Sequence, residues 1–487
     1  MVTLAVFWLC SLCAAALPGD TTADGVLGQP EFISNAPNQP TGVPSSTNMS
    51  FLFAPAVAVS PSGRLYLADD GNHRVLSWPS AAAFMNGESA DLLLGQSDFT
   101  SGDPNSGGSP SSDTFFLPQG LAVESNGDLW VTDAFNHRVL KFNDPASTDA
   151  FADLVLGQPD FSTADQNLGL GETGAQADSL NYPGRVLVTD DGLFVADSGN
   201  SRVVFYPDPM QNQSAATRVF GQFNDFTTPI KNNDGSGLCM NVAEDACGPP
   251  SAQNLFNPIG LALDNAGALY VADWINNRVL RYDAALTSDE VADVVYGQAD
   301  FDTGDANQGG LQSGLQLPTD VAVDRFGRVY IVDSNNHRAV VYPLTPSGQP
   351  APPPIAVFGQ LGDFLMNDIN HGLGPSLADA DSLSGPSGIA LDPSGSVYVV
   401  DAANSRLLRF DLPMPAPVPA DLDFDDDVDE LDVAAWIDCM TGPSAGIGST
   451  PCLPADTNGD VDVDLADAAR LMRCYSGANQ SPGAGCP

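Results

Sequence analysis

Basic residues are scarce in this chain. Its 487 residues include 17 lysines and arginines against 61 aspartates and glutamates, a formal net charge of -44, and lysine occurs only as Lys141 and Lys231. This deficit disfavours nucleic acid and anionic membrane surfaces as partners, because both attract basic proteins. Charged residues are only 16% of the chain and hydrophobic residues 43%. We therefore expect an acidic globular protein, with cations such as calcium as its natural small partners.

Long apolar runs are also few. The run from Leu4 to Ala16 ends in Cys13-Ala14-Ala15-Ala16 and is too short to span a bilayer. It predicts a secretory signal peptide over residues 1–16, and hence a secreted or cell-surface protein. The alternative, a buried first strand, is disfavoured by the polar, turn-rich sequence that follows. No other run approaches membrane length, so no membrane span is expected.

Cysteine is limited to eight residues, two of which lie in the predicted signal peptide. The other six fall into local pairs, Cys239 with Cys247, Cys439 with Cys452, and Cys474 with Cys486. Export makes these pairs plausible disulfides that each close a short loop. Zinc binding is the competing interpretation, but the six show no C-x-x-C spacing and no nearby histidine.

Sustained helical periodicity is missing before residue 430, whereas 47 glycines and 39 prolines are spread along the chain. This composition indicates many short strands joined by turns. One string, Asp-x-x-Asn-x-Arg, occurs six times between strand-like runs. Its copies are Asp69/Asn72/Arg74, Asp133/Asn136/Arg138, Asp197/Asn200/Arg202, Asp273/Asn276/Arg278, Asp333/Asn336/Arg338 and Asp401/Asn404/Arg406.

A second string, Gly-Gln, closes a fourth strand in each unit. It begins at residues 28, 95, 157, 221, 297 and 359, so the first copy precedes the first complete unit and no copy follows the sixth. Four short strands are the content of a propeller blade, and the offset predicts that Val26 to Gln29 supplies the outer strand of the last blade. Such closure removes exposed sheet edges.

The repeats resemble the NHL family of β-propellers. The best example is Pro-Thr-Asp-Val-Ala-Val-Asp followed by Gly-Arg-Val-Tyr-Ile-Val-Asp-Ser-Asn-Asn-His-Arg, within residues 318–338. The resemblance implies an all-β, six-bladed propeller over residues 24–412. NHL propellers are mostly binding scaffolds for proteins, RNA or glycans and only occasionally enzymes, and the acidic balance argues against RNA.

We expect the repeated Asp, Asn and Arg residues to be structural, with Asp and Asn capping tight turns and Arg bridging to a carboxylate. Departures from the repeat mark candidate function. Among the segments between a Gly-Gln string and the proline that opens the next strand, the longest is Phe226 to Pro258. It contains Lys231 and is a candidate specificity element. Arg185 stands where the other units have small or apolar residues. Neutral surface drift explains either departure equally well.

Histidine tests the enzyme interpretation, since some NHL-type propellers resemble amidating lyases that use a histidine-bound metal in the channel. His73, His137 and His337 share one turn position on blades one, two and five, and His371 lies in a loop. That distribution suits exposed turn residues better than ligands of one ion. No Gly-x-Ser-x-Gly or His-Glu-x-x-His motif occurs, and the sequence nominates no catalytic residue.

After Phe410, proline at alternate positions predicts a stiff linker over residues 413–420. Two acidic twelve-residue strings follow, at 421–432 and 456–467. Oxygen side chains at alternating places are what calcium requires from one loop, and an apolar stretch follows each string. The alternative is an acidic solvated tail. The candidate ligands are Asp421, Asp423, Asp425, Asp427, Asp429 and Asp432, then Asp456, Asn458, Asp460, Asp462, Asp464 and Asp467.

These strings resemble the type I dockerin, a small α-helical calcium-loop module, and imply such a domain over residues 421–487. Glycine is missing at the sixth loop place, where Asp426 and Val461 stand. Because β-branched valine tolerates a positive φ poorly, we expect weaker calcium binding at the second loop. The resemblance also implies contacts to a cohesin-type partner through Glu430, Leu431, Leu465 and Ala466, which differ from the Ser-Thr pair of well-known cellulosome dockerins.

These observations predict a secreted propeller that binds a protein or glycan on its loop-decorated face and attaches to a cohesin-type partner through calcium loops. The alternative is an extracellular carbohydrate-active enzyme or lyase involved in polysaccharide breakdown. A third interpretation is a structural protein of an envelope or matrix that binds no soluble ligand.

Overall fold

The computed structural model describes residues 20–414 without 148–149, 209, 236–246, 288–289 and 346–350. Within these residues the chain forms six antiparallel sheets of four strands. The strand bounds are β1 Gly25–Leu27, β2 Val57–Val59, β3 Leu65–Asp69, β4 Arg74–Trp78, β5 Leu92–Leu94, β6 Pro118–Val123, β7 Leu129–Asp133, β8 Arg138–Phe142, β9 Leu154–Leu156, β10 Val186–Thr189, β11 Gly192–Asp197, β12 Arg202–Pro207, β13 Arg218–Phe220, β14 Pro258–Leu263, β15 Leu269–Asp273, β16 Arg278–Tyr282, β17 Val294–Tyr296, β18 Pro318–Val323, β19 Val329–Asp333, β20 Arg338–Tyr342, β21 Ala356–Phe358, β22 Pro386–Leu391, β23 Val397–Asp401 and β24 Arg406–Phe410. Blades one to five contain β2–β5, β6–β9, β10–β13, β14–β17 and β18–β21, and blade six contains β22–β24 with β1.

The all-β, six-bladed architecture expected from the repeats is confirmed. In every blade the repeated aspartate ends the second strand and the repeated arginine begins the third, as in the Asp133–Arg138 pair that closes β7 against β8. The turn between them needs one residue with positive φ. His137 takes that place in blade two, with φ of 52°.

The core lies between neighbouring blades. One cluster joins Tyr66 and Val75 of blade one to Phe115, Val131 and Phe142 of blade two, and all five side chains are buried. Alternate residues of each strand face opposite sides of the sheet, so each blade packs on both of its neighbours. Burial on both faces explains why most residues between the ends of the strands are apolar.

The ring is closed by the first strand. β1 pairs antiparallel with β24, so that Val26 lies opposite Leu408 and Leu27 opposite Leu407. Val26 and Leu27 have no solvent exposure. The first strand thus completes blade six, as the offset of the Gly-Gln strings predicts.

Strand direction decides which loops share a face. Because the strands of a blade alternate in direction, the Asp-x-x-Asn-x-Arg turns lie on the same face as the segments that cross from one blade's outer strand to the next blade's inner strand. We call these segments the crossing loops and this side the crossing-loop face. The hairpins between first and second strands lie on the opposite face. In the described part of the chain, no helix has the length and apolar character needed to cross a membrane.

Candidate functional site: the crossing-loop face

Each repeated aspartate lies at the centre of a buried hydrogen-bonded cage. In blade two, Asp133 Oδ2 accepts from Arg138 Nε at 2.8 Å and from Asn136 Nδ2 at 2.7 Å, and its Oδ1 accepts from the backbone N–H of Phe116 at 2.6 Å. The ion pair recurs in all six blades, with both side chains fully buried, as Asp69–Arg74, Asp133–Arg138, Asp197–Arg202, Asp273–Arg278, Asp333–Arg338 and Asp401–Arg406.

The repeated asparagines belong to the same cages. All six are buried, and each donates Nδ2 to Oδ2 of the aspartate three residues earlier, at 2.7 or 2.8 Å. They are Asn72, Asn136, Asn200, Asn276, Asn336 and Asn404.

The capping role expected of the repeated Asp and Asn side chains needs correction. In the five described turns that form a short 3-10 helix, the aspartate stands at the N-cap position but makes no side-chain capping bond. Its Oδ1 accepts instead from a backbone N–H of the incoming crossing loop, as from Ser384 in blade six at 2.7 Å. The physical reason is the arginine, which together with the asparagine binds Oδ2 and fixes the carboxylate toward the loop. These side chains therefore join the turn to its neighbouring loop.

The repeated arginine also holds the two crossing loops that flank its blade. Arg278 Nη1 donates to the carbonyl of Phe301 in the outgoing loop at 2.6 Å. Its Nη2 donates to the carbonyls of Ser251 and Asn254 in the incoming loop, both at 2.9 Å. The outgoing acceptor is a phenylalanine in every blade, namely Phe99, Phe161, Phe226, Phe301, Phe364 and Phe32. These arginines hold the loops in place and have little capacity left for a ligand.

Sequence reasoning missed the partner of each repeated asparagine, which is a second asparagine in the crossing loop. Asn136 Nδ2 donates to Asn105 Oδ1 at 2.8 Å, and Asn105 Nδ2 donates back to Asn136 Oδ1 at 3.3 Å. The pairs are Asn38–Asn72, Asn105–Asn136, Asn167–Asn200, Asn232–Asn276, Asn307–Asn336 and Asn370–Asn404. All six loop asparagines have positive φ. A signal was available, because each follows the glutamine of Gly-Gln by nine or ten residues.

The expectation that the turn histidines are exposed is wrong. His73 and His137 are each only 7% exposed, and their Nδ1 atoms accept backbone N–H groups of the next crossing loop, from Leu117 at 3.2 Å and Tyr182 at 3.1 Å. His337 accepts from Gly385 in the same way at 3.0 Å. The left-handed backbone at this position turns the side chain toward the neighbouring blade.

Burial sets the charge of these histidines. It lowers the pKa of His73 and of His137 to about 4, and it lowers the pKa of His337 as well, because the imidazolium form loses its hydration there. At neutral pH the rings are therefore uncharged acceptors. Asn277 Oδ1 fills the same role in blade four, accepting from Leu317 N–H at 2.9 Å.

Arg185 is no surface variation, because it crosses the axis of the ring. Its Nε donates to Asp320 Oδ2 of blade five at 3.1 Å. The other guanidinium N–H groups donate to the carbonyls of Ala54, Gln119, Pro55 and Ser387, at 2.5, 3.2, 3.3 and 2.9 Å. Arg185 and Asp320 are buried, with 3% and 4% exposure. The ion pair fills the centre of the channel with a polar cluster.

The expectation that the other blades have small or apolar residues at this position is correct for four of them only. Asp320 is the blade-five counterpart of Arg185, while Ala56, Gly120, Gly260 and Gly388 stand in the remaining blades. The small residues leave room at the axis, since a Cβ on Gly260 would lie 2.5 Å from Asp320 Cα. The two departures from the repeat thus meet as one pair.

One exposed feature of the crossing-loop face is a row of aromatic rings, which we call the aromatic strip. The Phe135 ring lies at its centre and packs on three others. Its centroid is 5.5 Å from that of Phe53, 5.2 Å from that of Phe116 and 5.0 Å from that of Tyr182. Phe53 is 54% exposed and Tyr182 41%. The strip covers blades one to three.

The cage underneath fixes the strip. Phe116 donates its backbone N–H to Asp133 Oδ1 and accepts the backbone N–H of Phe135 at 3.1 Å. Tyr182 donates its backbone N–H to His137 and packs on that ring at 4.4 Å between centroids. The strip was not predicted from the sequence, because its rings occupy positions that are not aromatic in most other blades.

The longest crossing loop lies on the same face, beside blade four. Lys231 Nζ lies 5.5 Å from the centroid of the Phe256 ring, and the carbonyl of Lys231 accepts the backbone N–H of Cys247 at 2.9 Å. Cys239, its predicted disulfide partner, lies outside the described residues, so this pairing stays a prediction. His371 Nε2 contacts Asp379 Oδ2 at 3.0 Å.

The predicted calcium module also lies outside the described residues. This holds for both acidic loops, for Glu430, Leu431, Leu465 and Ala466, and for Cys439, Cys452, Cys474 and Cys486. The predicted signal peptide and residues 415–420 of the linker lie outside as well. Among the residues that the structure does describe, no three His, Cys, Asp or Glu side chains form a group able to hold a metal ion.

Known proteins resemble this chain in its repeats and its fold. The NHL repeat model matches residues 117–142, 315–342 and 383–410. NHL repeat-containing protein 2 of Bos taurus is 26% identical over 387 residues, which is 72% of this chain and 45% of that protein. The Gallus gallus protein of that name is 26% identical over 74% of this chain and 46% of its own length. The chain thus spans less than half the length of these curated relatives.

Solved structures resemble this chain at low identity and with TM-scores below 0.5. Virginiamycin B lyase from Staphylococcus aureus is 12% identical, with a TM-score of 0.38 over 72% of this chain and 78% of its own. A gluconolactonase from Xanthomonas campestris is 13% identical, with a TM-score of 0.37 over 82% of this chain and 98% of its own. The repeats and the six four-stranded sheets identify the chain as a six-bladed β-propeller that carries NHL repeats.

Proposed function

We propose that this chain is a protein-binding scaffold whose partner docks on the aromatic strip of the crossing-loop face. The observation that carries the proposal is the strip itself, a connected row of rings exposed at Phe53 and Tyr182. Aromatic side chains are enriched at the centres of protein interfaces, and they bury a large area with few rotatable bonds. A surface anchored by buried hydrogen bonds loses little further entropy on binding.

The chemistry of the strip favours a protein over a glycan. The rings of Phe53, Phe116, Phe135 and Tyr182 pack on one another, and the uncharged imidazoles of His73 and His137 pack on Phe116 and Tyr182. A sugar presents hydroxyl groups that need hydrogen-bond partners beside any ring on which it stacks. An apolar side chain of a protein needs only contact area.

The channel argues against the alternative of a carbohydrate-active enzyme or lyase. Such chemistry at the axis needs carboxylates or a metal open to the substrate. The axial carboxylate, Asp320, is instead 4% exposed and paired with Arg185, whose five N–H groups all have acceptors. A substrate would have to displace this cluster.

The C-terminal part of the proposal rests on the spacing of oxygen side chains at 421–432 and 456–467. We propose that these strings bind calcium and attach the propeller to a cohesin-type partner, in a protein exported through residues 1–16. The disulfide pairs of the predicted extracellular form belong to the same proposal.

The aromatic strip is tested by capture with immobilised full-length protein from secreted proteins of the source organism. We expect the Phe135→Ala/Tyr182→Ala variant to bind the captured partner at least about thirtyfold more weakly, the size of an interface hot spot. The matched control is Leu377→Ala, because Leu377 is 58% exposed in the crossing loop of blade six, away from the strip. Equal binding by both variants contradicts the proposal, and capture of a glycan alone contradicts its ligand class.

The calcium loops are tested on the full chain by titration calorimetry. We expect calcium binding that Asp421→Asn/Asp423→Asn reduces, because two charged oxygen ligands become neutral. Partner capture in calcium and in chelator then separates the functions. Loss of capture in chelator with the strip intact assigns attachment to the C-terminal segment, whereas calcium-free capture through that segment contradicts the docking part.

A further inference from the structure

A groove of about 720 Å³ lies on the face opposite the crossing loops, and we call it the exit groove. Its walls come from the hairpins between first and second strands of blades one, four, five and six, with Val59, Phe326 and Leu391 among the apolar lining residues. Leu412 and Met414, which follow the last strand, line the same groove. The chain therefore leaves the propeller from within this groove.

Two arginines and two aspartates line the exit groove, and Arg328 pairs with Asp324, which leaves Arg325 as the cation of the groove without a carboxylate partner among the described residues. The other twelve arginines of the described residues each form an ion pair with a carboxylate. Arg325 has no such pair there. It is exposed, and its guanidinium lies 4.7 Å from the centroid of the Phe326 ring. A positive charge beside an apolar wall fits a ligand that is both acidic and apolar.

The chain itself supplies such a ligand directly after Met414. Residues 415–487 contain 14 acidic residues and two arginines. Proline alternates with alanine and valine up to Ala420, and Asp421 and Asp423 follow. In an extended polyproline conformation the seven steps along the chain from Met414 to Asp421 span about 22 Å. Asp421 and Asp423 are therefore within reach of Arg325 from the place where the described chain ends.

We propose that residues 415–423 continue along the exit groove, with the proline and valine side chains on its apolar wall and Asp421 or Asp423 paired with Arg325. An exposed ion pair is weak alone. A short tether, however, gives the segment an effective concentration in the millimolar range, so a weak contact is enough to populate the docked state.

Docking and calcium binding compete in this arrangement. Asp421 and Asp423 are the first two predicted ligands of the proposed calcium loop at 421–432. A carboxylate bound to calcium is not free to pair with Arg325, so calcium releases the segment from the groove. This part alone rests on the proposed calcium loop, whereas the docking itself does not.

Cleavage of full-length protein by a protease that cuts before aspartate tests the docking. In calcium-free buffer we expect Arg325→Glu to raise the initial cleavage rate between residues 420 and 427 about 1.5- to fivefold, the range for loss of one exposed ion pair. The matched control is Lys231→Glu, which makes the same charge change at the other cation without an ion pair among the described residues, on the opposite face. Circular dichroism verifies that both variants fold.

Equal cleavage of the wild type and both variants overturns the docking. Protection that rises with protein concentration also overturns it, since a second copy would then occupy the groove. Calcium should bring the wild type and Arg325→Glu to one common cleavage rate, because the segment is then out of the groove in both proteins. A difference between the two proteins that calcium leaves unchanged supports the docking and counts against its competition with calcium.

Discussion

At the scale of single residues, the protein buries charged side chains away from water and provides each with nearby hydrogen-bond partners. Each buried arginine of the repeat has an aspartate on Nε and backbone carbonyls on its other nitrogens, as Arg138 has from Phe161, Ser111 and Thr114. A buried ion pair repays its desolvation only when such additional hydrogen bonds are present. The cage therefore stabilises the loops as a unit, and removal of one member leaves the others without partners.

The buried pair and an exposed pair should respond differently to substitution. We expect Asp133→Ala to lower the free energy of unfolding by about 3–5 kcal/mol, because Arg138 stays buried without its carboxylate. The control is Asp91→Ala at the Arg64–Asp91 pair, where Asp91 is 41% exposed and the loss should be at most about 1 kcal/mol. Denaturant unfolding measures both.

A double-mutant cycle completes this prediction. Arg138→Met combined with Asp133→Ala should lower the free energy of unfolding by about 1–3 kcal/mol less than the sum of the two single substitutions. The reason is that each single substitution leaves the remaining member of the pair buried without its partner. Additive losses in the cycle would show that the two side chains are not coupled.

Acid should weaken the protein through its buried histidines. Their pKa lies near 6.5 in the unfolded chain and near 4 in the folded state, so the unfolded chain binds more protons below pH 6.5. The stabilisation is present above about pH 6.5 and is lost as the pH falls toward 4. Burial raises the pKa of Asp70 to about 7, which acts in the opposite direction over the same range.

A variant isolates the histidine contribution. His73→Asn/His137→Asn should keep the backbone acceptor at neutral pH, because Asn277 already fills this position in blade four. We expect the variant to lose less stability than the wild type between pH 6.5 and 4, measured by denaturant unfolding at each pH. Parallel pH profiles for the two proteins would contradict the assignment.

At the scale of elements, the crossing loops depend on asparagines with left-handed backbone. Asn105 has φ of 49° and exchanges two hydrogen bonds with Asn136. Asn105→Ala loses these bonds, worth about 1–3 kcal/mol where a buried partner is left unpaired, and strains alanine by about 1–2 kcal/mol. Asn105→Gly loses the bonds only. We expect glycine to be less damaging by about 1–2 kcal/mol in unfolding experiments, and the reverse order would rule out backbone strain at this site.

The strands and turns were predictable from the sequence because each blade repeats the same short-range pattern. The six copies of Asp-x-x-Asn-x-Arg indicated the second and third strands, and the offset of Gly-Gln indicated the pairing of β1 with β24. The loop asparagines were readable from their distance to Gly-Gln and were overlooked. They lie in segments whose other residues vary, so the repeat is harder to see there.

The axial pair and the aromatic strip were not predictable from local pattern. Arg185 and Asp320 are 135 residues apart, and only the closure of six blades brings them together. Phe53, Phe135 and Tyr182 likewise come from three blades and occupy positions that are not aromatic in the other blades. The repeated motif predicts the structure that all blades have in common. The axial pair and the aromatic strip form between residues of different blades that are not part of the repeated motif.

At the scale of the whole molecule, stability depends on the first strand. Val26 and Leu27 are fully buried, and each contributes about 1.5–3 kcal/mol of burial. Gln29 Nε2 also donates to the carbonyls of Ala36 and Ser405, at 2.8 and 3.1 Å. Loss of this segment leaves β24 as an open edge.

Deletion of residues 1–29 should therefore lower the midpoint of thermal unfolding and cause association through β24. The control is deletion of residues 1–19, which retains the whole of β1. Calorimetry and size-exclusion chromatography report the two effects. A 1–29 deletion that stays monomeric with the control's midpoint would show that ring closure contributes little.

The direction of the strands has a mechanical consequence. A pull between the crossing-loop face and the exit groove acts along the strands, so it loads in shear the two ladders that hold β24, of three residue pairs with β1 and five with β23. Hydrogen bonds perpendicular to the strands must then rupture together. A pull that separates the two chain ends, which leave β1 and β24 side by side at the groove face, instead peels β1 away one pair at a time. The ring is thus resistant to tension along its axis and compliant to forces that part its ends.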